Sequence, residues 1–188
     1  MKYYLLILLL PFFTFCGQQK KEDAETQQEQ VQVEAIAPQK EQHATYYLIR
    51  HAEKEVKDPK NQDPGLNIDG MIRSNTWADY FGPIRIDEIY HTRYIRTKQT
   101  ISLTAQRKAI TPIRYEPNTI YSEEFLEKTN GKTVLIVGHS NTIPQLVNKL
   151  IGEEKFTDLD DNDHSTLFKV TINGKDKKVE VLKVESGK

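Results

Sequence analysis

The stretch Thr45–Lys54, TYYLIRHAEK, decides how this chain is read. Tyr46 to Ile49 is apolar without alternation, as in a strand covered on both faces. It stops abruptly on Arg50 and His51, with Glu53 and Lys54 close behind. Two groups that repel when both are charged therefore stand side by side at the end of a strand. Polar residues at a wet strand end are ordinary, so this pair alone does not make a site. A second strand ends alike, however: TVLIVGHS, Thr133–Ser140, finishes on His139.

Between and beyond these two lie further strand-like runs at Ile86–Tyr90, Thr166–Ile172 and Lys178–Val184. A helix capped by Asn67 is predicted to run to about Phe81, with Met71, Trp77, Ala78 and Phe81 on its buried face. A second helix is predicted over Tyr94–Arg107, ended by the turn toward Pro112, and a short third over Glu123–Lys128. A fourth begins near Asn141 or Thr142, tolerates Pro144 in its first turn and stops at Gly152. Alternating strands and helices imply an α/β domain layered α/β/α around a mainly parallel sheet. Asn173-Gly174 between the last two strands is a hairpin signal, so the sheet should end in an antiparallel C-terminal hairpin.

The chain has 188 residues, which suits one domain with extensions, and its net charge of −1 carries both signs interspersed. Without a basic surplus, nucleic acid is not an expected partner. The N-terminus departs from this even composition. Lys2 precedes an apolar run, Tyr3–Phe15, shorter than the about 20 residues of a membrane-spanning helix. A positive start and a short apolar middle are the marks of an export signal. The sole cysteine, Cys16, closes the run and cannot form an internal disulfide. Residues 1–16 resemble a bacterial lipoprotein signal, which implies lipid modification of Cys16 and a membrane anchor facing the periplasm or the cell surface. Phe15 departs from that pattern, in which a small residue usually precedes the cysteine. Residues 17–43 are rich in Gln, Glu and Lys and read as a disordered tether spanning roughly 25–30 Å. The folded domain is expected over residues 44–188.

In open α/β sheets, sites form beyond the carboxyl ends of the strands. Arg50, His51 and His139 converge there, and a third element joins them. In IYHTRYIRTKQT the strand ending at Tyr90 leads to a helix with Arg96 near its start, beside helix N–H groups suited to an anion. Two arginines and two histidines suit a phosphoryl group. Arginine makes permanent bidentate contacts to phosphate oxygens, and a histidine held neutral by neighbouring positive charge is a nucleophile.

These elements resemble the histidine phosphatase superfamily, which includes the cofactor-dependent phosphoglycerate mutases. Its Arg-His-Gly motif is similar to Arg50-His51-Ala52, and its Ser-x-x-x-Arg-x-x-Gln-Thr pattern to HTRYIRTKQT. Its Gly-His after an apolar strand is similar to VGHSN, and its Asp-Pro-x-Leu-Thr-x-x-Gly segment to DPGLNIDG, Asp63–Gly70. The resemblance spans about Tyr46 to Phe168. It implies that His51 is phosphorylated, that Arg50, Arg96 and His139 complete the phosphate pocket, with Ser140 adding a contact, and that no cofactor or metal is needed. Ala52 replaces the usual glycine, so that turn should have an ordinary φ. The mutases' general-acid glutamate has no aligned counterpart, its place falling near Tyr121; Glu123 and Glu124 are the candidates nearby. The short domain is closer to the compact phosphatases of the family than to mutases.

The remaining candidates read plainly. His91, where the family usually has serine, is expected in a solvated loop, and His164 in a polar loop before a strand. Asp158, Asp160, Asp161 and Asp163 lack the glycine and terminal glutamate of an EF-hand loop and read as solvated. Lys57 fits a solvated face, while Lys54 fits either that or a substrate contact. Trp77, Tyr80 and Phe81 fit the core, and His43 the tether. The expected activity is a phosphomonoesterase working through phosphohistidine on a phosphorylated small molecule or an exposed phosphomonoester. The alternatives are an anion-binding module without turnover, a mutase-type phosphotransferase, and a two-histidine metal site, which the flanking arginines disfavour.

Overall fold

The computed structural model describes residues 42–186. The expected signal segment, Cys16, and the tether as far as residue 41 lie outside the described residues. Strand β1 (His43–Arg50) pairs in parallel with β4 (Thr133–Gly138), with Arg50 opposite Gly138. On its other side β1 pairs antiparallel with β5 (Thr166–Asn173), and β5 with β6 (Asp176–Lys183). Strand β2 (Glu88–His91) lies parallel to β4, and the two-residue β3 (Ile113–Arg114) parallel to β2. The sheet order is β3-β2-β4-β1-β5-β6.

Side chains of β1 and β4 alternate between two cores. Tyr46, Leu48, Val134 and Ile136 face Phe125 of α3 (Glu123–Lys128) and Ile143, Leu146, Val147 and Leu150 of α4 (Thr142–Ile151). Tyr47, Ile49, Leu135 and Val137 face Trp77 of α1 (Ile68–Tyr80) and Ile101 and Ala105 of α2 (Ile95–Lys108). Both faces are thus covered by helices, which is why these strands are apolar without alternation. The three-layer α/β/α architecture, the mainly parallel sheet and the antiparallel C-terminal hairpin are as the sequence implies.

Three details differ from the sequence reading. His43 is the first residue of β1 and pairs with Asn173, so the strand begins inside the expected tether. Met71 is 57% exposed; the buried residues of α1 are Gly70, Ser74, Trp77 and Ala78, with Phe81 buried at its C-cap. The chain expected to turn toward Pro112 continues into β3.

The DPGLNIDG segment sets α1 against the end of β1. Asn67 Oδ1 accepts from Gly70 N at 2.8 Å, the expected N-cap. A Cβ at Gly70 would lie 2.1 Å from the Glu53 carbonyl oxygen, so only glycine allows this approach. Arg73 Nε donates to the Glu53 carboxylate at 2.8 Å and ties the loop after His51 to the same helix.

Candidate active site

The carboxyl ends of β1, β2 and β4 open into a cavity of about 590 Å³. Arg50, His51, Arg96 and His139 all line it, as does Ser140. Each is delivered by a different local device. Arg50 is the last residue of β1, and His51 follows with its N–H bonded to the Gly138 carbonyl at 2.9 Å. His139 is placed by the turn into α4, where its N–H donates to Thr142 Oγ1 at 3.1 Å. A Cβ at Gly138 would meet Tyr115 Oη and Thr142 Oγ1 at 2.8 and 2.9 Å, which explains the glycine before His139. Arg96 stands in the first turn of α2. Of the helix N–H groups expected to suit an anion there, that of Ile95 is already taken, donating to Asp63 Oδ1 at 3.0 Å.

His51 is only 4% exposed, and its ring lies 5.4 Å from that of His139. Its Nδ1 is 2.7 Å from the Ala52 carbonyl, which can only accept, so Nδ1 carries the proton and Nε2 is left with its lone pair. The His51 pKa is lowered to about 3, chiefly by burial and then by the charges of Arg96, His139 and Arg50, against the opposing Ala52 bond. The neighbouring Arg50 is the last of these causes, so desolvation more than like charge keeps the ring neutral. His139 is lowered to about 4, again chiefly by burial and then by Arg96, Arg50 and Lys54.

Arg50 is held from behind. Its Nη1 donates to the carbonyls of Asp160 and Asp161, both at 2.8 Å, and Nη2 lies 3.7 Å from Asp161 Oδ1. The acidic stretch is therefore a clasp for a site arginine rather than a freely solvated loop. Its carboxylates turn to separate partners: Asp160 to Asn162 N, Asp161 toward Arg50, and Asp163 to Thr166 and Lys183. Arg96 packs 4.2 Å over the Tyr94 ring and lies 3.7 Å from Asp63 Oδ1.

Several residues fall elsewhere than the sequence suggested. Glu123 and Glu124 are exposed on α3 and do not line the cavity, because the chain between β3 and α3 carries them away; the glutamate on the lining is Glu116, just past β3. His164 is buried, with Nδ1 2.8 Å from the His51 carbonyl, and supports the loop that carries His51. A histidine in front of a strand gave no signal of this. The serine position of the Ser-x-x-x-Arg pattern, four residues before Arg96, is Thr92 and not His91 as expected, and the Thr92 hydroxyl sits 3.0 Å from His139 Nε2. His91 ends β2, half-buried, and does not line the cavity. Lys54 lines the cavity, whereas Lys57 is solvated beside Glu55 at 3.6 Å. Among the described residues the only non-glycine with positive φ is Ala109, so Ala52 has the ordinary φ expected of it.

A parallel α/β sheet with this strand order, closed by an antiparallel hairpin, belongs to the phosphoglycerate mutase-like class. Residues 46–119 match the model of the histidine phosphatase superfamily (branch 1). This match bears out the resemblance drawn from the motifs, three of which lie within the matched residues. No curated protein matches the chain. A solved structure of the protein histidine phosphatase SixA complexed with tungstate is similar at a TM-score of 0.59 and 14% identity, covering 74% of this chain and 96% of that one. Phosphoglycerate mutase from Bacillus anthracis has a TM-score of 0.59 and 15% identity over 76% of this chain and 93% of its own. A protein from Agrobacterium tumefaciens with the provisional name phosphohistidine phosphatase SixA has a TM-score of 0.55 and 24% identity, over 73% and 97%. At these identities the likeness is one of fold.

Proposed function

We propose that the protein is a phosphomonoesterase that works through a phosphohistidine on His51. The observation that carries this reading is the state of His51. It is a buried neutral imidazole whose Nδ1 proton is fixed on the Ala52 carbonyl. It lines the same cavity as Arg50, Arg96 and His139. His51 Nε2 attacks phosphorus, and the bond from phosphorus to the leaving oxygen breaks. Arg50, Arg96 and His139 stabilise the charge on the transferring oxygens. Glu116, the glutamate on the lining, replaces Glu123 and Glu124 as candidate proton donor; it protonates the leaving oxygen. Water then attacks the phosphohistidine and gives its proton to the Glu116 carboxylate. The phosphorus–nitrogen bond breaks, which releases phosphate and restores both residues.

A neighbour of the same fold is described with bound tungstate, an oxyanion of phosphate-like shape, and this agrees with an oxyanion pocket here. The lipoprotein-like segment ending at Cys16 supports the further reading that the enzyme is exported and anchored to a membrane through its lipidated N-terminus. Release of the full chain from the membrane fraction by Cys16→Ser checks that part; equal partition of both forms would refute it.

Hydrolysis of para-nitrophenyl phosphate in excess EDTA tests the enzyme. We expect turnover that the chelator leaves intact, and an acid-labile phosphoenzyme. His51→Ala should abolish that phosphoenzyme and lower kcat/KM by roughly 10⁴-fold or more. A labelled His51→Ala protein would sink the nucleophile assignment. Phosphate binding without turnover would favour the anion-binding module, and loss of turnover in EDTA would favour a metal site.

A further inference from the structure

The phosphate-facing residues do not use all the positive charge at this cavity. Three more cations line it on three separate elements: Lys54 after β1, Arg93 before α2, and Arg114 in β3. Two carboxylates, Glu116 and Asp161, share the rim, and each already faces an arginine. Glu116 lies 3.0 Å from Arg114, and Asp161 lies 3.7 Å from Arg50. Lys54 and Arg93 form no ion pair among the described residues. Both are exposed, whereas Arg50 and His51 are buried beneath them.

Arg93 is nevertheless positioned. Its guanidinium lies 4.9 Å over the Tyr94 ring, and its Nη2 donates to Tyr94 Oη at 3.2 Å. Lys54 is positioned through its backbone, which bridges to Leu66. An unpaired cation that merely kept the protein soluble would need neither fixture nor a place on a cavity wall.

We infer that Lys54 and Arg93 form a second anion subsite at the mouth, so that the preferred substrates are phosphomonoesters bearing another anionic group, a phosphate or a carboxylate. The inference rests on the phosphatase reading for its chemistry, but the subsite can be measured without turnover. A substrate with one anion uses only the buried pocket. One with two spans pocket and rim, and gains charge-assisted contacts that an uncharged tail cannot make.

The test compares propanediol bisphosphate, phosphoglycolate and propyl phosphate on the wild type and on Lys54→Met, Arg93→Met and the double variant. The ratio of kcat/KM for a two-anion substrate to that for propyl phosphate should exceed about tenfold in the wild type. It should fall toward one in the double variant, through KM rather than kcat. Taking the ratio removes the general loss of attraction that any anion suffers when charge is deleted. A preference for the bisphosphate or for phosphoglycolate identifies the second anion. Titration of the same compounds into His51→Ala gives the ratio of Kd values independently of catalysis. If no ester is hydrolysed but that ratio still depends on Lys54 and Arg93, the subsite stands and the phosphatase reading falls. Equal ratios in wild type and double variant, by rate and by titration, overturn the subsite.

Discussion

The floor and the rim of the cavity are built on opposite principles. The floor residues Arg50, His51 and His139 sit at the ends of β1 and β4, strands locked between two helical layers, and Arg96 in the first turn of a packed helix. Their backbone or side-chain polar groups are bonded to the scaffold, as with Arg50 to the Asp160 and Asp161 carbonyls. The rim residues Lys54, Arg93, Glu116 and Asp161 lie in connecting segments; the two cations face water, and the two carboxylates face Arg114 and Arg50. Such a division puts the invariant part of the chemistry, holding a phosphoryl group, on rigid elements. The part that meets a variable leaving group is left on loops. Substitutions in the floor should therefore act on kcat by powers of ten, and those of the rim cations Lys54 and Arg93 on KM by small factors; Glu116, the candidate proton donor, is the rim residue expected to act on kcat.

After loss of the His51 nucleophile itself, the largest departure is expected at Arg50. Arg50→Lys keeps the charge but loses the planar fork that spans two backbone carbonyls and the cavity at once. A single ammonium cannot serve both the 160–161 carbonyls and a phosphoryl oxygen. The expected outcome is a fall in kcat of roughly 10²–10³-fold, in the range for loss of one oriented transition-state donor. Steady-state kinetics with para-nitrophenyl phosphate check this. A variant within threefold of wild type in kcat would mean that the floor is no more oriented than the rim.

The legible parts of the fold were those with a repeating pattern. The apolar runs of β1 and β4, the Asn67 cap and the Asn173-Gly174 turn each carry a local physical rule, and each holds. Strand β3 has two residues and so no periodicity to read. The floor was legible because strand ends place residues predictably, which brought Arg50, His51 and His139 together before any coordinates. The backing of the floor was not. Arg50 is clasped by main-chain carbonyls of an acidic loop, and main-chain atoms leave no trace in residue identity. His164 reaches the His51 carbonyl only because β5 pairs with β1, a tertiary fact. Glu116 was missed for Glu123 and Glu124 because the family's glutamate position falls near Tyr121 by sequence alone, and residue identity does not say which part of the connection after β3 faces the cavity.

An intermediate effect concerns pH, and it separates floor from rim by stability. His51 and His139 are held at about 3 and about 4 in the folded protein, against 6.5 for an unperturbed histidine. Below about pH 6.5 the unfolded chain takes up protons at these positions and the native state does not. Stability is therefore complete above that pH and is lost as pH falls toward 4, by at most about 1.4 kcal/mol per pH unit for each histidine. His91 and His164 are lowered as well and act in the same direction. Urea midpoints of the phosphate-free domain should fall between pH 7 and pH 5. The His51→Ala protein should show a shallower fall over that range, and Lys54→Met an unaltered one. The same slope in His51→Ala as in the wild type would show that the floor histidine is not held neutral.

The smallest effect, and the finest test of the division, lies at Asp161, which belongs to both regions. Its carbonyl clasps Arg50 as part of the floor, while its carboxylate stands on the rim 3.7 Å from Arg50 Nη2, with the side chain 94% exposed. An incoming phosphoryl group competes with that carboxylate for the same guanidinium and is repelled by it. Asp161→Asn removes the competitor and leaves the main-chain clasp in place. The pair is solvated, so the gain is limited to less than about fivefold. The expected result is a modest fall in KM for propyl phosphate with kcat unchanged, and weaker dependence of KM on salt. A rise in KM would mean that the carboxylate orients Arg50 rather than opposing the substrate, and that Asp161 belongs to the floor through its side chain as well as its backbone.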